Sequence, residues 1–518
     1  IERDQQGQLN KFNYNYWSSP VSPITPIAPF ANNNDYTIAG IMKDGTTPTP
    51  QNINWITGYD GAPTSPISLA RYWLYKFNSN TDAYANWLPF SENDPLKVGL
   101  GYTLKGAGAI GPSTLNYTFV GKPNNGTIAN TVGANQLLLV GNPYPSAIDA
   151  YKFLDDNVST VDRSTTDGTL YFWQHAHENN THVLADYLGS YGVLNYSGGI
   201  SGVTPESISG AGTAGKIPNQ CIPVGQGFFV YGSSTGGSVQ FKNSQRVFVK
   251  ENNTGPTGSN PLFKTRSNAK TAVTNNADDV IPVTDYKKIR LGYITTNKYH
   301  RQVLLAFMEN RATSEIDYGY DAESLDELPN DMYFVNGENQ LIIQGEGHFD
   351  INASYPIGVK TKVEGTASFK IDKLENFDAS QNVYIYDDET KEYHDIQKDA
   401  FNVILPAGVN NTRFSLRFND KSSDSDKTLG LEEKNIENNI KIAHIQNSKT
   451  LTVSNYSLET MVEKITLFNI NGKLISKWDI KNQEQKNIKI SIDSISSGVY
   501  IVKLKTSTGE LSKKIIVQ

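Results

Sequence analysis

Two stretches near the end of the chain decide its fold: ITLFNINGKLISKW (residues 465–478) and NIKISIDSISSGVYIVKLKTSTGELSKKIIVQ (residues 487–518). Asn471-Gly472 lies between runs rich in β-branched and apolar residues. Asn-Gly there predicts a two-residue hairpin, because both turn positions need positive φ, and so antiparallel strands. Further on, Ile488, Ile490 and Ile492 share one face of an extended segment. Tyr500, Val502 and Leu504 repeat that period of two before Gly509 turns the chain again. The pattern predicts a small β-sandwich whose final strand is the C-terminus.

The rest of the chain has the same character. At 518 residues it exceeds one ordinary core, so two to four domains are expected. Charged residues make up 19%, and 42 Gly, 23 Pro and 28 Tyr accompany short apolar alternations with almost no helical periodicity. The fold class is therefore all-β: several antiparallel β-sandwich domains in series, ending in a small Ig-like β-sandwich. No segment approaches the ~18 consecutive apolar residues of a membrane span. The chain opens on Ile1 rather than on Met with a charged and apolar leader, as expected of a mature or truncated protein. Cys221, the single cysteine, rules out an internal disulfide and a Cys-based metal site within the chain.

The net charge of −7 is unevenly placed. From Glu433 to Gln518, 13 Lys and no Arg face 8 acidic residues, a balance of +5; the remaining 33 cations and 45 acids leave −12. A basic terminal domain suits docking to an acidic surface. Lysines on edge strands also serve simply to block aggregation.

In chain order, residues 1–250 form one compositional unit, predicted to be a β-rich, jelly-roll-like domain. Its markers include Tyr14-Asn15-Tyr16-Trp17, Leu139-Val140-Gly141-Asn142-Pro143-Tyr144-Pro145, Leu170-Tyr171-Phe172-Trp173 and Gly225-Gln226-Gly227-Phe228-Phe229-Val230. Residues 251–285 turn polar and read as a linker. Alternation resumes at Lys288-Ile289-Arg290-Leu291-Gly292-Tyr293 and closes at Arg413-Phe414-Ser415-Leu416-Arg417-Phe418, predicting a second β-sandwich over 286–419. Small and charged residues mark a linker at 420–432, and the last domain occupies 433–518.

Candidate chemistry is sparse. Gly106-Ala107-Gly108-Ala109-Ile110-Gly111 and Gly210-Ala211-Gly212-Thr213-Ala214-Gly215 satisfy G-x-G-x-x-G, but no amphipathic helix follows to hold a pyrophosphate. They read as loops. On a strand His175 and His177 share a face, and Glu178 or His182 from the next turn would complete a transition-metal set. A polar strand end beside aromatic packing explains the same residues. The acidic run Glu315, Asp317, Asp321, Glu323, Asp326, Glu327 and Asp331 offers hard oxygens without the order of a calcium loop, and reads as a solvated acidic loop. Trp17, Trp55, Trp73, Trp87 and Trp173 suit either a core or a glycan-stacking surface, with packing the expected role. There is no G-x-S-x-G, no H-E-x-x-H and no Cys-His nucleophile pattern, and no basic-aromatic stripe for nucleic acid. A non-enzymatic protein with no cofactor and no metal is expected.

The terminal residues carry a resemblance. Gly472-Lys473, Ser497-Gly498-Val499-Tyr500, Gly509 and Lys513-Lys514-Ile515-Ile516-Val517 resemble the C-terminal sorting domain of proteins exported by the type IX secretion system of Bacteroidetes. Such domains often open with a Tyr-Pro-Asn-Pro-like element. Here Ile442-Ala443-His444-Ile445-Gln446-Asn447 stands in that place, so the end is type A-like without its usual beginning. Residues 287–419 resemble the type C sorting region of flavobacterial substrates, and the markers of 1–250 resemble a β-domain preceding it in long surface proteins. The resemblance implies an adhesin-like cell-surface protein, secreted through the outer membrane, whose last domain is read by the translocon and by an outer-membrane β-barrel shuttle. The residues it implies for that contact are Gly472, Lys473, Gly498, Tyr500, Lys513, Lys514, Ile515, Ile516 and Val517. A surface glycan is a possible further partner. The alternative is a carbohydrate-binding module or glycan-active enzyme with its activity in residues 1–250.

Overall fold

Near-continuous apolar runs, rather than alternating ones, mark strands that are covered on both faces. Five such strands form the centre of the larger part of the chain, in the order Leu137–Gly141, Gly227–Gly232, Thr166–His175, Gly189–Asn195 and Gly198–Ile200, all antiparallel. Their side chains divide by parity between two cores. Leu138, Val140, Leu170, Phe172, Leu194, Phe228 and Val230 enter one. Leu137, Leu139, Tyr171, Val193 and Phe229 enter the other.

These features come from a computed structural model that describes residues 1–5, 11–25, 33–78, 86–108, 115–158, 164–175, 180–183, 186–187, 189–205, 217–248, 286–378, 380–420, 440–445, 449–455, 461–469, 473–480, 487–492, 495–507 and 510–517. The chain divides into two compact units, Ile1–Asn419 and Asp420–Gln518. Strands dominate both. The longest described helix, Ala150–Asn157, is capped by Asp149, whose carboxylate accepts from the backbone N–H groups of Tyr151 and Lys152.

On one side of the five-stranded sheet, small sheets close the first core. One of them orders Tyr14–Trp17, Tyr102–Lys105, Tyr75–Phe77 and Trp87–Pro89 side by side. On the other side lies a twelve-stranded sheet built from residues 204–205 and 287–417. It curls until its outermost strands meet: His394 of Glu392–Asp395 stacks on Phe401 of Phe401–Leu405, with ring centroids 3.7 Å apart and planes 11° apart. Strand Thr204–Pro205 pairs with Tyr299–Phe307, so residues from before and after position 250 share this sheet.

Two largely buried arginines in this unit are paired with carboxylates. Arg301 grips Asp331 with two hydrogen bonds, Nε to Oδ1 at 2.5 Å and Nη2 to Oδ2 at 2.8 Å, with both side chains almost sealed from solvent. The fork-to-carboxylate geometry offsets the desolvation of both ions, and removing either partner would strand the other. Arg413 makes the same bidentate grip on Asp387.

The acidic run is solvated only in part: Glu315, Glu323 and Glu327 are exposed, but its aspartates are engaged. Asp321 is buried and accepts from the N–H groups of Asp317 and Gly345. Asp326 accepts from Tyr191 N, and Asp331 belongs to Arg301. Glu323, Asp326, Glu327 and Asp331 line an open cleft of about 310 Å³ with Lys360 at its rim. Asp326 and Asp331 turn to separate partners, the Tyr191 N–H and Arg301, which position alone in the sequence does not reveal.

Burial pushes the carboxyls of Asp167, Asp321 and Asp326 up to about 7. A carboxyl whose pKa is higher in the folded than in the unfolded chain binds more protons when folded. Its contribution to stability is full below the unfolded value near 3.8 and is lost as pH rises through 7. Asp387 runs the other way: burial raises it, but the Arg413 hydrogen bond and charge together with the backbone N–H groups of Glu389 and Thr390 outweigh that and leave it below its ordinary value. The melting temperature of the intact chain, followed by tryptophan fluorescence, is therefore expected to rise as pH falls from 8 to 5.5. Below about pH 4 it should drop again, as the arginine-paired carboxylates take up protons. Asp321→Asn should lower the melting temperature and flatten the slope between pH 5.5 and 8; an unchanged slope would exclude Asp321 as its source.

Candidate functional site

The smaller unit is a sandwich of three strands on four. Ile440–Ile445, Thr450–Asn455 and Asn487–Ser491 form one sheet, and Leu474–Asp479, Val462–Asn469, Gly498–Thr506 and Glu510–Val517 form the other in that order. Ile442, Leu451, Val453 and Ile490 meet Ile465, Leu467, Val502, Leu504 and Ile515 between them. The period of two in the sequence produces this core directly. Ile490, Ile492, Tyr500, Val502 and Leu504 are all buried.

The last strand lies at an edge and pairs along its whole length with Gly498–Thr506, in the register Gly498 to Val517, Val499 to Ile516 and Tyr500 to Ile515. That pairing brings Gly498, Tyr500 and residues 513–517 together. Tyr500 also pairs with Asn469, and the Asn469 backbone N–H donates to Lys473 O at 3.0 Å while Lys473 N–H donates to Asn469 Oδ1 at 2.9 Å. Lys473 therefore sits at the same end of the sheet. The closing pair is Asn469 and Lys473, so three positions separate the last paired residues instead of the two that Asn-Gly predicts. Gly472 itself lies outside the described residues, as does the side chain of Ile516.

Burial divides the predicted contact residues into two kinds. Tyr500, Ile515 and Val517 are buried, and the Tyr500 hydroxyl donates to Ser496 O at 2.8 Å. Lys473, Lys513 and Lys514 are exposed. Gly498 needs no special backbone: its φ is not left-handed, and an added Cβ would touch only the Tyr500 ring at 3.4 Å. The outer face of the sheet carries Lys464, Lys477, Lys503 and Lys505 on three neighbouring strands. There the Lys477 side chain beside Lys464 holds that amine below its ordinary range, while Asp479 and Glu463 pair with Lys477 and Lys505.

In the larger unit the tryptophans are packing residues. Trp17 and Trp73 are buried, and Trp55, Trp87 and Trp173 are half-buried. Around Trp73 lies a cluster that the sequence does not announce, because it joins residues from six separate segments. Lys105 Nζ sits 3.5 Å from the Trp73 ring centroid and 4.3 Å from that of Tyr14. The same amine bonds the Tyr187 hydroxyl and lies 3.2 Å from His182 Nδ1. Burial brings Lys105 down to about 7, with the Asp60 charge opposing the shift. His182 stacks on Trp73 and its Nε2 lies 2.7 Å from Asp60 Oδ1. Lys11 holds the other Asp60 oxygen at 2.6 Å, and these two hydrogen bonds keep the Asp60 carboxyl below its usual range.

His175 is used differently from His182: its Nε2 faces Tyr14 O at 2.9 Å and accepts from the Trp173 indole N–H at 3.1 Å. The two histidines do not converge, and His177 and Glu178 lie outside the described residues. Among the described residues no group of three or more His, Cys, Asp or Glu side chains is arranged to hold a metal ion.

Two family models match the chain. The one described as a domain of unknown function (DUF8693) matches residues 1–418. The one described as a secretion system C-terminal sorting domain matches residues 435–518. No curated protein matches. The chain thus ends in the sorting domain of type IX secretion substrates and is exported to the cell surface or the extracellular space.

Two substitutions separate the shape of this domain from its contacts. Tyr500→Ala should cost about 3 kcal/mol through the cavity it leaves. Gly498→Ala should be neutral or stabilise by up to about 1 kcal/mol, since the extended backbone already suits an L-residue. Hydrogen exchange of Gly498–Thr506 in the intact chain measures both. Strong deprotection in Gly498→Ala would mean that glycine is needed for the fold.

Proposed function

We propose that this chain, which belongs to the family of the domain of unknown function (DUF8693), is an adhesin-like, non-catalytic cargo whose last domain is read as a folded shape by the outer-membrane β-barrel shuttle of the type IX machinery. One observation carries the second half of that reading. The register of Gly498–Thr506 with Glu510–Val517 gathers Gly498, Tyr500 and residues 513–517 on one edge hairpin, with Lys473 at its end. A shuttle that contacts this edge meets exposed Lys513 and Lys514, while Tyr500, Ile515 and Val517 hold the edge in place from inside; Lys473 lies at the same end of the sheet, in the turn before its opposite edge strand.

The division of labour has a physical basis. A linear signal would need only the exposed side chains, whereas a folded signal needs the core as well, because unfolding scatters the lysines. The charge placement supports the same contact: a domain with a balance of +5 and no Arg presents compact ammonium charges suited to a carboxylate-bearing surface. For the body, the support is the absence of nucleophile and zinc-hydrolase motifs from the sequence, together with the exposed aromatic residues described below.

The test is export of a reporter fused to residues 420–518, in a type IX-competent host and in one lacking the translocon. Export should require the translocon, should fall by about tenfold or more in Lys513→Glu/Lys514→Glu as an edge contact reverses charge, and should be lost in Tyr500→Ala. Full export of the charge-reversed fusion would overturn the edge-contact reading, and export without the translocon would overturn the route.

A further inference from the structure

The Trp73 cluster ends at the surface in two tyrosines whose exposure has no packing explanation. Tyr59 is 57% exposed and Tyr72 is 47% exposed, while Trp73 between them is 6% exposed. Both rings are nevertheless fixed. Tyr59 and Tyr72 meet edge to face at 4.7 Å and 81°, Tyr72 meets Trp73 at 4.7 Å and 82°, and Tyr59 meets it at 5.9 Å. The Trp73 indole N–H donates to Tyr59 O at 2.6 Å, which pins the backbone that carries the ring. Beneath, Lys105 and His182 clamp Trp73 in turn.

Two exposed aromatic planes held at a right angle form a corner, and polar groups stand beside it. Asp60 follows Tyr59 directly, is about half exposed and is held ionised between Lys11 and His182. Arg71 precedes Tyr72, and its Nη2 donates to Trp55 O and meets Glu92. Apolar partners would leave the carboxylate and the ammonium desolvated, and a strongly charged ligand would find Asp60 and Lys11 already neutralising one another.

We infer that the Tyr59–Tyr72 corner binds a neutral pyranose glycan whose ring hydroxyls are equatorial. Such a ring presents axial C–H bonds on its faces, which pack against the electron-rich face of an aromatic ring, and hydroxyls around its edge. Stacked on the corner, the edge hydroxyls meet an acceptor in Asp60 and a donor in Lys11. Pre-fixed rings lose little freedom on binding, so a small contact area suffices for a weak, repeatable grip along a polymer. This inference rests on the reading of the body as a ligand-binding cargo. Its test requires no export, so the two fail separately.

The test titrates the intact, purified chain with cellohexaose, laminarihexaose and maltohexaose, which share the glucose ring and differ in linkage, by calorimetry up to about 10 mM. At least one should bind. Tyr59→Ala and Tyr72→Ala should each weaken it about tenfold or more, the loss of one stacked ring. Tyr59→Phe, which keeps the ring, should bind as the unmodified chain does. Both tyrosines are surface residues, so an unchanged melting temperature verifies each variant. Absence of binding to all three probes, equal binding in the alanine variants, or equal loss in Tyr59→Phe would each overturn the inference.

Discussion

The structure of the larger unit depends on one sheet that must be covered on both faces. With Leu138, Val140, Phe172 and Phe228 directed to one side and Leu139, Tyr171, Val193 and Phe229 to the other, the five central strands expose apolar surface in both directions unless both cores form. Burying a large aliphatic or aromatic side chain contributes about 1.5–3 kcal/mol. Neither covering layer is dispensable on that scale. The curled twelve-stranded sheet is therefore not an appended module: it supplies the second cover, and the strand at Thr204–Pro205 joins it from the N-terminal side. The smaller unit has its own core, with fifteen buried residues among those described.

The polar groups follow the same geometry. The curled sheet pairs two largely buried arginines, Arg301 with Asp331 and Arg413 with Asp387, and sets His300 Nε2 2.8 Å from Asp372. Asp167, Asp321 and Asp326 lack such partners at full strength and hold their protons near neutrality instead. Lys105 is the cationic counterpart, with aromatic faces and hydrogen bonds in place of a carboxylate contact. The unit is thus tuned by burial more than by surface charge.

Much of this was legible in the sequence, and for stated reasons. Period-two alternation at Ile488–Ile492 and Tyr500–Leu504 gave the sandwich faces, since a strand has only two sides. The apolar runs at 139–140, 170–173 and 228–230 gave strands, and they became the doubly covered sheet. The acidic run is solvated at Glu315, Glu323 and Glu327, as read, but not at Asp321, Asp326 and Asp331, whose partners Gly345 N, Tyr191 N and Arg301 come from distant strands. The cluster around Tyr59, Tyr72 and Trp73 was not legible for a related reason: its bracing by His182 and Lys105 spans segments that meet only in three dimensions.

The central claim is that the edge hairpin of the terminal sandwich is what the export machinery reads, while the body travels with it. Hydrogen exchange of the full chain with and without the purified outer-membrane shuttle tests it most directly. The account predicts added protection confined to Gly498–Thr506 and Glu510–Val517, with exchange in residues 1–419 unchanged. Protection that appears instead in the larger unit, or none in the terminal hairpin at saturating shuttle, would contradict it.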